Sequence, residues 1–525
     1  MTVKARRVAV VGAGPAGAIA VDALAKEQAF ETIRVFDRRA AIGGTWNYTP
    51  HLPPKVRSLR DLLNNVADAA PPIPDVLPAV TPISEAVNSH QVRFSDTAIH
   101  ENLHSNITPE IMSYTQEPFP NKLSERTLAE YGSPAPFRHH TVIREWVEGI
   151  FLRGGHEKLL ELATTVERAE KIRDEWVLTL RKEAAGKNYW WRERFDALVV
   201  ASGHYNVPWF PDIPGLAEYG ERFPGSILHS KEFRDAPSFK GKRVVVVGGS
   251  VSSHEIVHEV LAYAQAPVYS SLRSDPIPAF GWEPFDHPHI EVKKEISRFD
   301  AATGRIHFAD GSHLDGVDHV IFGTGYQFSL PYLPEVQKRI RKAHRRLPGV
   351  YQHVFNIEDP TLTFVGMSGG GFTFRMYEWQ AVAVARFLAG RARQPLPTVA
   401  EQLEWERRRV VARGEGKSFY AVGPDFEEYF ELLRAIAGGE PAPGNPGRVL
   451  PAFDKKWLDV WAGMVATKIG GWQRKRARAV EEERKKKGGG GVEKDGEKGG
   501  NGNGEDRGEE KGETTREGVA VKAKL

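Results

Sequence analysis

The chemistry this chain could perform is concentrated in four short patterns, and the first is Gly12-Ala13-Gly14-Pro15-Ala16-Gly17. It follows the apolar run Val8-Ala9-Val10-Val11, and a further run, Thr32 to Phe36, ends on Asp37, twenty positions past Gly17. This spacing is a dinucleotide-binding fingerprint: Gly12 permits a tight turn, Gly14 lets a pyrophosphate approach the backbone, and Gly17 brings the next helix close to the strand. The helix N-terminus then faces the phosphates with unpaired N–H groups and a partial positive charge. Asp37 can accept hydrogen bonds from an adenosine ribose and repels a 2′-phosphate, so this turn suits FAD or NAD and refuses NADP.

A second turn, Gly248-Gly249-Ser250-Val251-Ser252-Ser253, follows the strand-like run Arg243 to Val247. Ser250 and Ser253 replace the second and third glycines; both are small, and both hydroxyls can donate to phosphate. The run Pro267 to Leu272 ends at Arg273, again twenty positions past the turn. A guanidinium at that place pairs bidentately with a 2′-phosphate. The first turn therefore suits FAD and the second NADPH.

Two further patterns point elsewhere. His254-Glu255-Ile256-Val257-His258 spells HExxH on a helix, which puts two histidines on one face with a glutamate able to activate zinc-bound water. A zinc hydrolase using His254, Glu255 and His258 is the remote alternative. Against it, the helix starts directly after a phosphate-type turn, no Gly-x-x-His follows, and no cysteine can add a ligand. No metal site is therefore expected. Gly366-Met367-Ser368-Gly369-Gly370 matches the GxSxG nucleophile elbow, but no histidine follows Ser368, so the hydrolase order Ser, Asp, His is impossible.

These turns need strands and helices to position them. A length of 525 residues predicts two domains plus tails. The absence of cysteine excludes structural disulfides, thiolate metal sites and a redox-active Cys pair. The net charge of +3 is small and is not gathered on one face, so no nucleic-acid partner is implied. The first strand begins almost at once and no run of eighteen apolar residues occurs, so no transmembrane anchor is expected and the protein reads as soluble and cytoplasmic. Ile42-Gly43-Gly44-Thr45-Trp46 is a glycine pair that lets backbone lie against a cofactor. The proline-rich stretch 69–88 reads as a surface excursion. Asn106, before Thr108-Pro109, reads locally as a turn residue ahead of a short helix.

Thr141 to Leu162 carries helical spacing, and Val166 leads into a β-meander through Trp176 and Trp190. Asp196 to Gly203 is a buried strand and its turn. Pro208, Pro211 and Pro214 form a crossing linker, and Gly323-Thr324-Gly325-Tyr326 returns the chain after a strand at Val317 to Phe322. Glu255 to Tyr263 and Tyr377 to Ala389 read as helices, the latter after a strand at Leu362 to Gly366. Trp457 to Trp472 is a short apolar stretch followed by Arg474, Lys475, Arg476 and Arg478, read as packing on the first domain, with a membrane surface as the alternative. From Glu481 onward Gly, Glu, Lys and Asn dominate and disorder is expected. The final Ala523-Lys524-Leu525 is close to the peroxisomal Ser-Lys-Leu address, which makes a peroxisomal import receptor a candidate partner and the peroxisome the alternative location.

Between the two turns, Phe223-Pro224-Gly225-Ser226-Ile227-Leu228-His229-Ser230-Lys231-Glu232-Phe233 matches FxGxxxHxxx(Y/F). From Val8 to about Gly390 the chain resembles the flavin-containing monooxygenases, in their soluble, fungal-type form. It departs from Baeyer–Villiger monooxygenases, which carry Trp followed by Pro or Asp where this chain has Phe233-Arg234. Gly43-Gly44-Thr45-Trp46 resembles the family's GG-x-W flavin contact, and Leu103 to Tyr114 its L-x-T/S-N-x-P segment. The resemblance makes Asn106 the catalytic residue, set against the flavin and the nicotinamide ribose, and it places Ser271-x-Arg273 at the NADP 2′-phosphate. His229 and Phe233 read as structural, fixing the linker between domains. Ser253 at the third-glycine position is a departure that bears on how tightly NADPH is held.

The resemblance implies an α/β fold of two Rossmann-like dinucleotide domains: an FAD domain (1–210 and 329–480), an NADPH domain inserted within it (211–328) and a disordered tail (481–525). It implies NADPH- and O2-dependent oxygenation of a small molecule's soft nucleophilic atom, sulfur or nitrogen, through a C4a-hydroperoxyflavin. Baeyer–Villiger or N-hydroxylating chemistry is the alternative. The expected cofactor contacts are Gly12, Gly14, Pro15, Ala16, Gly17, Asp37, Arg38, Gly44, Thr45, Trp46, Ser105, Asn106 and Val166 for FAD. For NADPH they are Gly248, Gly249, Ser250, Val251, Ser252, Ser253 and Arg273. A disulfide reductase shares this pair of domains but needs the cysteines this chain lacks.

Overall fold

The valine-rich runs become central strands of two parallel sheets. A computed structural model describes residues 3–52, 58–64, 70–83, 96–133, 135–342 and 346–488. The larger sheet runs, edge to edge, through Val350–Tyr351, Phe355–Asn356, Leu362–Phe364, Ala197–Val200, Arg7–Val11, Thr32–Phe36 and Leu160–Glu161. Its middle is parallel and its first three strands form an antiparallel edge. Side chains alternate across it, as a strand requires. Val8 and Val10 enter a core with the helices Pro15–Glu27 and Thr373–Leu388, whereas Ala9 and Val11 enter a core beneath the meander. Burial on both faces explains why Val8 to Val11 reads as a continuous apolar run.

The second sheet is wholly parallel and uses residues 227–322 alone: Ile227–His229, His319–Phe322, Val244–Val247, Val268–Leu272 and Ile290–Lys294. Val245 and Val247 face one core and Val244 and Val246 another. The chain leaves the first unit through Val207–Pro208 and returns through Tyr326–Gln327, and these two short strands pair antiparallel. The two connections between the units therefore brace each other.

Several sequence expectations shift. The helix expected over 141–162 is His140–Arg153; Gly154-Gly155, the latter with φ of +65°, stops it, and Leu160–Glu161 becomes a sheet edge. The helices expected from Glu255 and Tyr377 begin earlier, at Val251 and Thr373, because each springs directly from its glycine turn. Within the proline-rich stretch, Ala79–Pro82 pairs with Lys187–Phe195 as the fourth strand of the meander, so that part is not a loose excursion. Residues 69 and 84–88 lie outside the described residues.

The disorder expected from Glu481 does not begin there, since a single helix spans Lys456–Gly488. Its residues 481–486 are good helix formers, and Lys485 pairs with Glu481 at 2.7 Å, one turn earlier. Residues 489–525, including Ala523-Lys524-Leu525, lie outside the described residues. No helix among the described residues is long and apolar enough to cross a membrane.

Candidate active site

The first turn is set by backbone contact. Gly12 has φ of +113°, and a Cβ on it would fall 2.5 Å from the Ala201 carbonyl oxygen. A Cβ on Gly17 would fall 1.9 Å from the Gly12 oxygen, so the helix rests directly on the turn. Gly14 caps the helix without a side-chain hydrogen bond and Pro15 opens it, which leaves the first N–H groups free of side-chain partners. Gly14 and Gly44 meet backbone to backbone; a Cβ on Gly44 would lie 2.7 Å from the Gly14 Cα. Asp37 accepts from the Ala13 N–H at 2.7 Å and the Arg39 N–H at 2.8 Å, one bond per carboxylate oxygen. A further lone pair on each oxygen remains for a ribose.

The second turn repeats this plan. Gly248 has φ of +123° and donates to the Ser271 oxygen at 3.0 Å, as Gly12 donates to the Phe36 oxygen at 2.8 Å. Ser250 caps Val251–Val260 with no side-chain bond. Ser253 contradicts its expected role as a phosphate donor: it is buried, its hydroxyl lies 3.4 Å from both the Val247 and Gly323 carbonyl oxygens, and it is absent from the cavity lining. Space for it exists because residue 323 is glycine, whose Cβ would sit 2.1 Å from the Ser253 oxygen. Arg273 is exposed at the cavity, while Ser271 is committed, donating to the Lys294 carbonyl at 2.9 Å.

One cavity of about 1430 Å³ joins both turns. Gly12, Gly14, Pro15, Ala16, Asp37, Arg38, Gly44, Thr45, Trp46, Asn106 and Val166 line it from the first unit, and Gly248, Gly249, Ser250, Val251, Ser252 and Arg273 from the second. Gly17 and Ser105 stand behind the wall. Ser105 is tied to the neighbouring segment: its N–H donates to the Arg138 oxygen at 2.7 Å and its hydroxyl accepts from the Arg138 N–H at 3.1 Å. These bonds, and the Tyr114 hydroxyl donating to the Pro15 carbonyl at 2.7 Å, hold the Asn106 segment against the first turn. The backbone cradles and the acid-then-arginine pair fit two dinucleotides.

Motif residue His229 is buried between the crossings. Its Nδ1 accepts from the Lys231 N–H, so the opposite nitrogen carries the proton and donates to the Gly325 carbonyl at 2.9 Å. That carbonyl also accepts from the Trp209 N–H at 3.0 Å, so both connections meet at one atom. Sequence reasoning missed Lys231, two positions on. Its ammonium pairs with Asp96 at 3.0 Å and donates to the Asn206 carbonyl at 2.8 Å, and burial pulls its pKa down to about 8 against the pull of Asp96. It also missed His204 in the cavity wall, stacked on Phe328 and held neutral by burial, with a pKa of about 4.

The HExxH residues are committed elsewhere. His254 donates to the Gly249 carbonyl at 3.1 Å, His258 to the Pro284 carbonyl at 2.8 Å, and Glu255 pairs with Lys468 at 3.4 Å. Both Nε2 atoms are thus spent as donors, the Nδ1 atoms are buried without a hydrogen-bond partner, and among the described residues no group of three His, Cys, Asp or Glu is placed to hold a metal ion. Ser368 of the GxSxG match is buried and accepts from the Gln380 amide at 2.8 Å.

Two Rossmann-type turns opening on one cavity define a flavin- and nicotinamide-dependent oxidoreductase. Residues 89–276 and 287–442 match the flavin-binding monooxygenase-like family, and 10–60 match an NAD(P)-binding Rossmann-like domain. The chain belongs to the flavin-binding monooxygenase-like family. It is 29% identical over 463 residues to the flavin-containing monooxygenase ustF2 of Aspergillus flavus, covering 81% of this chain and 90% of that protein. It is 28% identical over 396 residues to trimethylamine monooxygenase of Methylocella silvestris, covering 74% and 75%. The solved S-allyl-L-cysteine S-oxygenase of Allium sativum shares the fold, with a TM-score of 0.66 at 22% identity over 92% of this chain and 99% of that one. The protein is a flavin monooxygenase with FAD and NADPH as its cofactors.

Proposed function

We propose that this enzyme oxygenates a soft heteroatom, sulfur or amine nitrogen, of a small molecule, with FAD on the first turn and NADPH on the second. The observation that carries this reading is the single cavity lined by both turns and by Asn106. On this reading 1–210 and 329–480 form the FAD domain and 211–328 the NADPH domain. When bound, the cofactors supply hydride transfer and oxygen activation. The chain binds and orients. Gly12, Gly14, Pro15 and Ala16 carry the FAD pyrophosphate, Asp37 takes its ribose, and Arg38, Gly44, Thr45, Trp46 and Val166 line its bed.

Gly249 to Ser252 carry the NADPH pyrophosphate, and Arg273 holds the 2′-phosphate. Asn106 presents an amide that can donate or accept where the two cofactors meet, without itself titrating. Burial keeps His204 neutral, so this ring is not a proton source at neutral pH. A soft nucleophile needs no deprotonation by the protein, so this chemistry asks the chain only to bind and orient. Relatives named as trimethylamine monooxygenase and as an S-oxygenase support the heteroatom class. The Phe233-Arg234 pair speaks against the Baeyer–Villiger alternative.

The test is product analysis with FAD-loaded enzyme, NADPH and O2 on a thioether, a tertiary amine and a cyclic ketone. Sulfoxide or N-oxide formed one-for-one with NADPH consumed is expected. Ester from the ketone, with neither oxide, would overturn the heteroatom assignment.

A further inference from the structure

The family match ends at residue 442, whereas the helix Lys456–Gly488 lies beyond it and touches both units. Its contact stripe is Trp457, Trp461, Met464, Lys468, Trp472, Arg476 and Glu483, spaced three, four or seven residues apart, so all share one helical face. At one end Trp457 packs on the first unit, 5.2 Å from the Phe453 ring and beneath the Arg375 guanidinium at 4.6 Å. At the other end Trp472 stacks on His258 at 5.9 Å and meets Phe280 edge-on at 5.1 Å. Arg476 pairs with Asp286 at 2.8 Å and Glu483 with His289 at 3.1 Å. The apparent zinc helix is the landing face: His254, Glu255 and His258 all contact this stripe.

Anchored at both ends, the helix presents its middle to the cavity. Trp461 and Met464 line it, in one apolar cluster with Ile107, Met112 and Phe374, which line it too. Ile107 follows Asn106 directly, and the short helix just after it, Pro109–Met112, touches the long helix, which brings this apolar wall toward the amide assigned to the reacting region.

We propose that Trp461 and Met464 are specificity-determining residues whose wall, shared with Ile107, Met112 and Phe374, selects a thioether or amine carrying an aromatic or bulky apolar substituent. The substituent lies against the indole and thioether, while its heteroatom points toward Asn106. A tryptophan face and a polarizable methionine sulfur both favour an aromatic body. A small polar amine leaves this wall wetted and gains nothing from it. This assignment rests on the proposed heteroatom chemistry for its substrate class, but it concerns binding and is read separately from turnover.

The test uses FAD-loaded full-length enzyme and equilibrium binding of methyl phenyl sulfide and dimethyl sulfide, alongside turnover of both. The wild type is expected to bind the aryl sulfide more tightly, and Trp461→Ala and Met464→Ala to lose about tenfold to a hundredfold of that affinity, the range for exposing one large apolar contact. Dimethyl sulfide affinity changes less than threefold. Trp461→Phe and Met464→Leu keep the wall apolar and retain most of the aryl preference, which separates a lost contact from a damaged fold. Equal loss for both sulfides, or no loss, overturns the assignment. If the wild type binds the aryl sulfide through this wall but oxidises neither compound, the heteroatom reading fails while the wall stands.

Discussion

At the first turn Gly17 lies under Gly12 and Ala201 follows the neighbouring strand Ala197–Val200; at the second, Ser253 takes the helix position and Gly323 follows the neighbouring strand His319–Phe322. The places correspond, because the Ala201 N–H donates to the Val11 oxygen at 2.9 Å and the Gly323 N–H to the Val247 oxygen at 2.8 Å. Each turn thus holds one side chain and one glycine across the helix–strand contact, with the two exchanged. The reasons differ: at Gly17 the place of a Cβ is taken by the Gly12 oxygen, with the Ala201 methyl 3.9 Å away, whereas Ser253 has room because residue 323 carries no side chain.

The sharpest way to break this comparison is Gly17→Ala. The new Cβ would meet the Gly12 oxygen at 1.9 Å and no neighbour can yield, since both contacts are backbone. We expect a destabilisation of about 3 kcal/mol or more, seen as a lower urea midpoint, with loss of bound FAD colour. Gly17→Ala purified with full flavin content would contradict the tight contact.

Next comes a cycle in the second turn. Gly323→Ala alone collides with the Ser253 oxygen at 2.1 Å and should cost about 1–3 kcal/mol. Ser253→Gly alone opens a small void, at about 1 kcal/mol or less. The double variant rebuilds the first turn's arrangement and should be more stable than Gly323→Ala, giving a coupling of at least about 1 kcal/mol in denaturant unfolding. Additive losses would mean the exchange is accidental.

A smaller effect sets the two helices apart by pH. The Pro15–Glu27 helix has no histidine, whereas burial beneath Trp472 lowers His254 to about 4 and His258 to about 3. Lys468 and Lys417 near the first, and Lys475 and His287 near the second, push the same way. The unfolded chain, with histidines near 6.5, binds more protons than the native state below that pH. The stability these neutral rings contribute is complete above about pH 6.5 and is lost as pH falls toward their depressed folded values. His258→Gln should therefore flatten the fall in urea midpoint between about pH 7 and pH 5; an unchanged slope would argue that His258 is not buried under the long helix.

Much of the site was legible because its constraints are local. Gly12, Gly14, Asp37 and Arg273 are dictated by turn sterics and by register along one βαβ unit. The direction of the Ser253 hydroxyl was not, because it depends on Gly323, distant in sequence. The bonds of Ser105 to Arg138 were not legible either, because Arg138 is remote in sequence. The long helix was split between an apolar patch and a tail because the partners of its second half, Phe280, Asp286 and His289, are remote in sequence. HExxH shows the same limit: correct spacing on a real helix, with ring nitrogens turned to the Gly249 and Pro284 carbonyls.

The most direct measurement is the rate at which the bound flavin's visible band bleaches without oxygen, with NADPH and with NADH, in wild type and Arg273→Ala. The account predicts faster reduction by NADPH in the wild type. In Arg273→Ala the advantage should collapse by about tenfold to a hundredfold, the worth of one charge-assisted contact, with NADH unaffected and flavin content intact. A protein that carries no flavin, or one reduced equally by both nucleotides with Arg273 intact, would contradict the division of the two turns between FAD and NADPH.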